Sequence, residues 1–446
     1  MSSKYINKKT TKLYENASGG SQNMVLIYGD EVEVTGPPQP ADAQARKQRT
    51  PVTYRGRPGF VKSNYLSDSP ALEMYFIDVG QGDSTFIVTP ERKKILVDGG
   101  ANNRALGFLA WKYRLDRADS DPVTIDLIVV SHADGDHLKG LTPVLTHPKI
   151  QVGQIIHNGI ALYDSDKYAQ KSGNLDPDGN WLLTMHDKIN ELDRDDLHPD
   201  FITWFDAVTQ TNTPYRSVSR GDTPVDFGDT SVSIDVLAPL RSEFENEPVY
   251  AWFGDHAHTI NGHSVVLRLQ HDDISLLLSG DLNIDGSKHL LGDLDLRDDM
   301  DAHILKVPHH GSHEFYPPLL LAVNPQISVI SSGDHPDHGH PRAILLGAIG
   351  AASRSHSPLL FSTEIAATFL EADSTDRADS EALDDLDPDA GDANERARRL
   401  FKRRLHGMIN VRSNGKEMYA ARRVATGYWW ESYGPLQPAE RSDSKS

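Results

Sequence analysis

Residues 125–137 read IDLIVVSHADGDH. The first six, Ile125 to Val130, form an apolar run of the kind that makes a buried strand. The rest place His132, Asp134, Asp136 and His137 directly at its end, with Gly135 allowing the backbone to fold tightly between them. Four such donors in one short loop can converge on adjacent metal ions. Two carboxylates and two imidazoles stranded by chance at the end of a buried strand would carry a steep desolvation cost, so the loop reads as a metal site.

Working outward, short strands precede the loop: Glu73–Val79, Ser84–Thr89 and Lys94–Val97. Asp98-Gly99-Gly100 then opens a helical run, Arg104 to Leu115, with Leu106, Leu109, Ala110 and Tyr113 at helical spacing. Further strands are expected at Gln154–Ile156, Val232–Leu237, Ser264–Leu269, Ile274–Leu278, Ile304–Val307 and Ile327–Ile330. Runs of adjacent strands interleaved with single helices imply two sheets covered outside by helices. Residues 161–210 are polar with helical stretches, and are read as an insertion over the site.

The loop resembles the His-x-His-x-Asp-His signature of the metallo-β-lactamase fold, in the variant His-x-Asp-x-Asp-His. Around it stand FIDVGQGDSTFIV (76–88), ILVDGG (95–100), NGHSVVLRL (261–269), LLLSGD (276–281), LKVPHHGS (305–312) and ISVISSGDHPDHGHP (327–341). These follow the order seen in the hydrolase (nuclease) domain of ComEC-type competence proteins, over roughly residues 73–370. The resemblance implies an α/β fold, the metallo-β-lactamase αββα sandwich, and an enzyme that hydrolyses phosphodiesters.

It also implies roles. His132 and Asp134 would bind one metal, and Asp136 and His137 the other. Asp281 would bridge the two, and His309 or His310 would complete the second site, the order of the pair being left open. His157, at a strand end, is the candidate for a further imidazole ligand. His340 would contact substrate or donate a proton, Lys306 would meet an anionic group, and Asp98 would orient ligands from behind. Gln81 and Asp83 read as a structural turn, and Asn261 and Ser264 as polar structural residues. The cofactors expected are two divalent ions, Zn2+ or Mn2+, roughly 3.5–4 Å apart, activating a water for attack. Asp136 or Asp281 would hold its proton, and the double-His element would stabilise the transferred group.

Residues 1–68 read as short strands and turns. YGDEVEVTG (28–36) and VTYRGRPGFVKSNYL (52–66) resemble a bacterial SH3-like barrel, a kind of module that binds a protein or peptide partner. A chain starting near Ser69 is therefore expected to keep its activity on small esters. Residues 371–397 hold eleven acids between Glu371 and Glu395 and read as a disordered linker. Residues 400–436 are read as a C-terminal extension, with Asn414-Gly415 turning a hairpin.

Composition sets outer limits. A fraction of 38% apolar residues in 446 supports a substantial core. No apolar run approaches the ~18 residues of a membrane span, and the first residues carry no secretory pattern, so a cytoplasmic location without membrane contact is expected. The absence of cysteine excludes thiolate ligands and disulfides. A net charge of −19 argues against a generally polyanion-binding surface. The partner expected is nevertheless a nucleic acid or a small phosphodiester, such as a cyclic nucleotide or phosphorylcholine ester, with a non-catalytic scaffold as the remaining alternative.

Overall fold

The computed structural model describes residues 2–20, 24–42, 47–164, 166–222, 224–293, 295–333, 339–364, 407–423 and 430–441. The linker expected at 371–397 lies outside them. Two sheets face each other. The first holds, in spatial order, Tyr215–Ser217, Ile150–His157, Val123–Val130, Lys94–Val97, Thr85–Val88, Leu72–Phe76, Ile409–Ser413, Met418–Arg423 and Trp430–Leu436. The second runs Ser233–Ala238, Val266–His271, Ile274–Leu278, Ile304–Lys306, Ile327–Ile330 and Leu359–Ser362.

Alternation along each strand explains the layering. Leu127 and Val129 turn inward to meet Leu267, Leu276, Ile304 and Val329 of the opposite sheet. Ile128 and Val130 turn outward into the layer of the helices Arg104–Tyr113 and Pro199–Thr211. On the far side, Leu277 and Leu305 pack under the helices Ile284–Gly292, Pro317–Val323 and Ala343–Ala352. A strand buried on both faces must be apolar throughout, which is why IDLIVV carries only one polar residue. Each of these fully buried leucines and isoleucines contributes on the order of 2 kcal/mol. The result is the helix–sheet–sheet–helix sandwich.

Two boundaries differ from those read in the sequence. Ile409–Ser413 pairs antiparallel with Leu72–Phe76, Val411 opposite Met74, so the C-terminal hairpin is part of the first sheet rather than an extension beyond it. The 161–210 segment is likewise built into the outer layer, with Phe201, Trp204 and Val208 of its helix buried in the cluster that holds Leu141 and Val144.

The N-terminal region is all-β. Gln39–Pro40, Gln48–Tyr54, Glu31–Val34, Ser2–Ile6 and Leu66–Ser67 lie side by side, with Arg57–Lys62 also paired to Gln48–Tyr54. Ile6, Leu13, Leu26, Val32, Val52 and Val61 form its small core. It is tied to the sandwich by charge. Arg412, on a sandwich strand, bonds Asp30 at 2.9 Å and the Tyr28 carbonyl at 2.5 Å. Tyr28 stacks on Tyr419 at 3.9 Å. Beside Arg412, the buried Glu73 carboxylate is met by Lys112 at 2.9 Å, Arg92 at 3.0 Å and the Tyr75 hydroxyl. Removing residues 2–68 takes Asp30 away from Arg412 and Glu31 away from Arg92. A chain starting near Ser69 is therefore expected to melt well below the full-length protein, although it retains every proposed ligand; equal melting temperatures would show the two parts to be independent.

Candidate metal centre

The loop after Val130 is shaped from below by Asp98. Its carboxylate, 1% exposed, accepts from the Ser131 amide at 2.8 Å, the Ser131 hydroxyl at 2.6 Å and His137 Nδ1 at 2.9 Å. With Nδ1–H committed to Asp98, His137 presents the Nε2 lone pair to the centre, the tautomer that a metal ligand needs. The expectation for Asp98 as an orienting group agrees with this geometry. Gly135–Leu138 then forms a single helical turn, with the His137 and Leu138 amides bonded to the Asp134 carbonyl at 3.0 Å each. The Gly80–Asp83 loop closes onto that turn. Gly82 has φ +95°, and a Cβ there would lie 1.7 Å from the Asp136 carbonyl oxygen, so only glycine fits.

Four buried groups converge: Asp83, His137, Asp281 and His310. Asp281 approaches His137 Nε2 at 3.3 Å with one oxygen and His310 Nε2 at 3.0 Å with the other. Asp136 lies 3.5 Å from His310 Nε2. The two imidazole Nε2 atoms face each other at 3.4 Å. Burial opposes charge on both rings, but Asp281 and Asp98 push His137 well above its ordinary value. Asp281 and Asp136 likewise hold His310 up at about 10. The same pairings overcome burial at Asp136 and Asp281 and hold both carboxyls below their usual range. The carboxylates thus keep their charge only by drawing positive charge onto the rings. A divalent cation meets that demand while leaving both Nε2 lone pairs as donors.

His132 and Asp134 sit beside this group. His132 is fully buried; burial and the neighbouring His137 push its pKa down to about 4, so it stays a neutral donor. Its Nδ1 meets the Ser131 hydroxyl at 3.0 Å and the Ser264 hydroxyl at 3.4 Å. Its Nε2, 3.8 Å from Asp134 Oδ2, is buried with no hydrogen-bond partner. One oxygen of Asp281 is likewise buried without a hydrogen-bond partner. Burial and Asp136 push Asp134 up to about 6. Two orphaned, buried lone-pair donors beside a crowded carboxylate cluster are costly without a cation, and the donor set of imidazoles and carboxylates fits divalent metal.

The pair 309–310 is separated by its backbone. Both residues adopt left-handed conformations, φ 51° and 50°. His310 turns into the cluster, whereas His309 turns away, with Nδ1 4.0 Å from Glu314 and its ring 6.3 Å from the buried His340. His309 and His340 therefore stand together beside the converging group rather than within it.

Two expectations need correction. His157 lies outside the group: its Nδ1 accepts from the Gly159 amide at 3.0 Å and its Nε2 donates to the Asp187 carbonyl at 3.1 Å. The ring packs against His186 and Tyr215 at 4.6 and 4.0 Å, and burial pushes its pKa well down. With both nitrogens used, it has no lone pair for a metal, so His157→Gln is expected to leave the metal stoichiometry unchanged; a lost equivalent on elemental analysis would restore it as a ligand.

Lys306 is the second. Its side chain is 3% exposed, and its ammonium bonds the Asp83 carboxylate and, at 3.1 Å, the Gly280 carbonyl. It meets a protein carboxylate instead of an external anion. The other Asp83 oxygen lies 3.3 Å from His310 Nδ1, whose further contact is the Ser331 carbonyl at 3.2 Å. Asp83 thus faces the back of His310 without a hydrogen bond, while the Ser331 carbonyl takes the Nδ1 proton, unlike Asp98, which bonds His137 directly. Its sequence setting, Gly-Gln-Gly-Asp, reads only as a turn; no local signal points to a partner 223 residues away. Gln81 remains a turn residue, its carbonyl accepting from Ala101 at 3.3 Å. Ser264 holds the Asp281 amide at 3.1 Å.

Asp83→Asn should lower metal affinity about 10–100-fold, the usual effect of losing a carboxylate behind a ligating imidazole. The variant also leaves Lys306 buried without its carboxylate. Adding Lys306→Met should restore the melting temperature but not the affinity; recovery of both would mean that Asp83 serves only to neutralise the lysine.

Residues 77–334 match the sequence family described as the Metallo-beta-lactamase superfamily, more than half of the chain. ComE operon protein 3 of Bacillus subtilis is 23% identical over 297 residues, 61% of this chain and 30% of that protein. The match thus spans under a third of that relative's length. Among solved structures, a putative zinc-dependent hydrolase of the superfamily from Thermotoga maritima is 10% identical, covering 65% of this chain and 97% of its own, with a TM-score of 0.27. CmlA of Streptomyces venezuelae, a diiron beta-hydroxylase, is 11% identical over 67% of this chain and 54% of its own, at a TM-score of 0.34.

Proposed function

The chain belongs to the metallo-beta-lactamase superfamily, and on that premise we propose that it is a metal-dependent phosphodiesterase, acting as a nuclease on DNA or RNA. The observation that carries the reading is the convergence of His137 and His310 through their Nε2 atoms on Asp281, with Asp136 alongside and the orphaned His132 Nε2 and Asp134 next to them. The motif order shared with the hydrolase domain of ComEC-type proteins supplies the substrate class.

His132, Asp134, Asp136, His137, Asp281 and His310 would hold divalent cations, which when bound lower the pKa of water and neutralise charge developing on a phosphoryl group. Asp98 holds His137 and the Ser331 carbonyl holds His310, so the donors need no rearrangement at the moment of reaction. Asp281, whose two oxygens face the two rings, would help to hold the cations in this reading. In this reading Asp136 would take the proton of the attacking water. His309 and His340, beside the cluster, would meet the phosphate or the departing oxygen in this reading.

Purified protein should cleave single-stranded DNA or RNA and also bis-p-nitrophenyl phosphate, in each case only with added metal after chelation. Cleavage of the small ester alone would replace the nuclease reading with a small-phosphodiester hydrolase. No cleavage with any metal would leave a scaffold. Among the described residues no helix is long and apolar enough to cross a membrane.

Asp134 tunes the metal in this account. A carboxylate is harder than the imidazole of the commoner signature and favours Mn2+ relative to Zn2+, although zinc binds more tightly in general. Manganese should therefore support the higher turnover, and Asp134→His should move the optimum toward zinc. The check is a metal titration of both chelated proteins; identical preference in the two would remove any tuning role for position 134.

A further inference from the structure

Between the N-terminal β region and the sandwich lies a cleft of about 300 Å3, walled by Tyr54 and Arg55 on one side and by Trp111, Arg114, Arg412 and Trp430 on the other. It stands at the start of the strand Leu72–Phe76, where Glu73 and Tyr75 also line it. None of the residues that converge at the metal centre lines the cleft.

The charges in the cleft do not cancel locally. Its buried and half-buried carboxylates are taken: Asp30 by Arg412, Glu31 by Arg92, and Glu73 by Arg92 and Lys112. Three guanidinium groups are left around Trp111. Arg55 lies 3.5 Å from the Trp111 ring centre and Arg423 5.4 Å from it. Arg114 reaches over the turn at Gly56, where a Cβ would lie 2.7 Å from its Nη1. Among the described residues none of the three has a carboxylate within ion-pairing distance; the one lining acid left over, Glu33, is exposed.

Hydrogen bonding is incomplete at the same place. Arg55 gives one bond, to the Trp111 carbonyl at 2.5 Å, while its Nε is buried without a partner. Arg412 Nε and the Tyr113 hydroxyl are buried without partners as well. Burial pulls the Arg55 guanidinium below its ordinary value, as expected for a half-buried cation lacking a carboxylate. Unsatisfied buried donors cost about 1–3 kcal/mol each, and an acceptor-rich anion would satisfy them.

We propose that this cleft is a second ligand site, separate from the metal centre, which takes the phosphate group of a nucleotide. Arg55 and Arg114, which line the cleft, meet the phosphate oxygens, since the planar guanidinium fork matches them, and Arg423 adds positive charge from beside Trp111. Tyr54 and Trp430 offer aromatic surface to the base, and the cleft is much larger than phosphate alone requires. The phosphate can belong to a free mononucleotide or to the end of a strand, and the chemistry of recognition is the same.

The test is calorimetric titration of chelated full-length protein with thymidine 5′-monophosphate, thymidine and a short oligothymidylate. The Asp136→Ala/Asp281→Ala protein should bind the monophosphate as tightly as wild type, which places binding outside the metal centre. Arg114→Ala/Arg423→Ala should weaken it at least about tenfold, and thymidine should not bind. Arg114→Glu alone, at a residue with no carboxylate to lose, should show the same direction if the double variant does not fold. Tighter binding of the oligomer assigns the site to a strand, and equal binding assigns it to a free nucleotide; either supports it. No binding by wild type, undiminished binding by the arginine variants, thymidine binding as tightly as its phosphate, or loss of binding in the metal-centre variant would overturn the proposal.

Discussion

Asp281→Ala is expected to reduce turnover by on the order of a hundredfold or more while the protein stays folded. Losing a group behind a ligand already costs 10–100-fold, and Asp281 is the carboxylate that both converging imidazoles face, at 3.3 and 3.0 Å. Its removal also relieves the charge that drives those rings upward, so His137 and His310 should titrate closer to ordinary histidines. Asp136→Ala should be comparably inactive. Each variant should lose at least one metal equivalent. Elemental analysis beside steady-state rates makes the check, with circular dichroism to confirm folding. Wild-type turnover with two ions bound in either variant would mean that the site lies elsewhere.

The second large effect is on stability. Glu73 is 3% exposed, with Lys112, Arg92, Arg412 and the Tyr75 hydroxyl around its carboxylate. Burial alone would raise its pKa, but the three cations outweigh burial and hold it well below the usual carboxylate range. Glu73→Ala leaves buried cations uncompensated and should cost about 3–5 kcal/mol, the typical result of removing one partner from a buried pair. Because folding depresses this pKa, the stabilisation is complete above the unfolded value of about 4.3 and is lost progressively as the pH falls below it. Urea denaturation from neutral pH to pH 3 reads both effects. The wild type should lose this share of its stability across the acid range, and the variant should have less to lose. A cost under about 1 kcal/mol at neutral pH would mean that water screens the network far more than its burial indicates.

The sandwich was legible because its strands are apolar on both faces, and IDLIVV has few other uses. The candidate loop was legible because four potential donors fall close together in the chain. Both are local signals. What stayed hidden depended on groups that meet only after folding. Asp83 reads as a turn residue until the second sheet brings Lys306 and His310 to it. His309 and His310 are indistinguishable in sequence, and two consecutive left-handed residues decide which one turns inward. His157 sits at a strand end, where a ligand would be well placed, but a strand end can equally lead into packed rings, and here His186 and Tyr215 pack against it. The hairpin at 409–423 announced its own turn, yet nothing local told that Asn410 would bond the Met74 carbonyl 336 residues earlier.

The central claim is that the His132–His137 loop, Asp281 and His310 form one hydrolytic metal centre. It is tested most directly by measuring metal content and bis-p-nitrophenyl phosphate hydrolysis together, before chelation, after it, and after manganese is restored. The account predicts two metal equivalents, no hydrolysis once they are removed, recovery when they return, and neither full loading nor recovery in Asp281→Ala. Hydrolysis that persists in metal-free protein, or full loading and activity in Asp281→Ala, would contradict it.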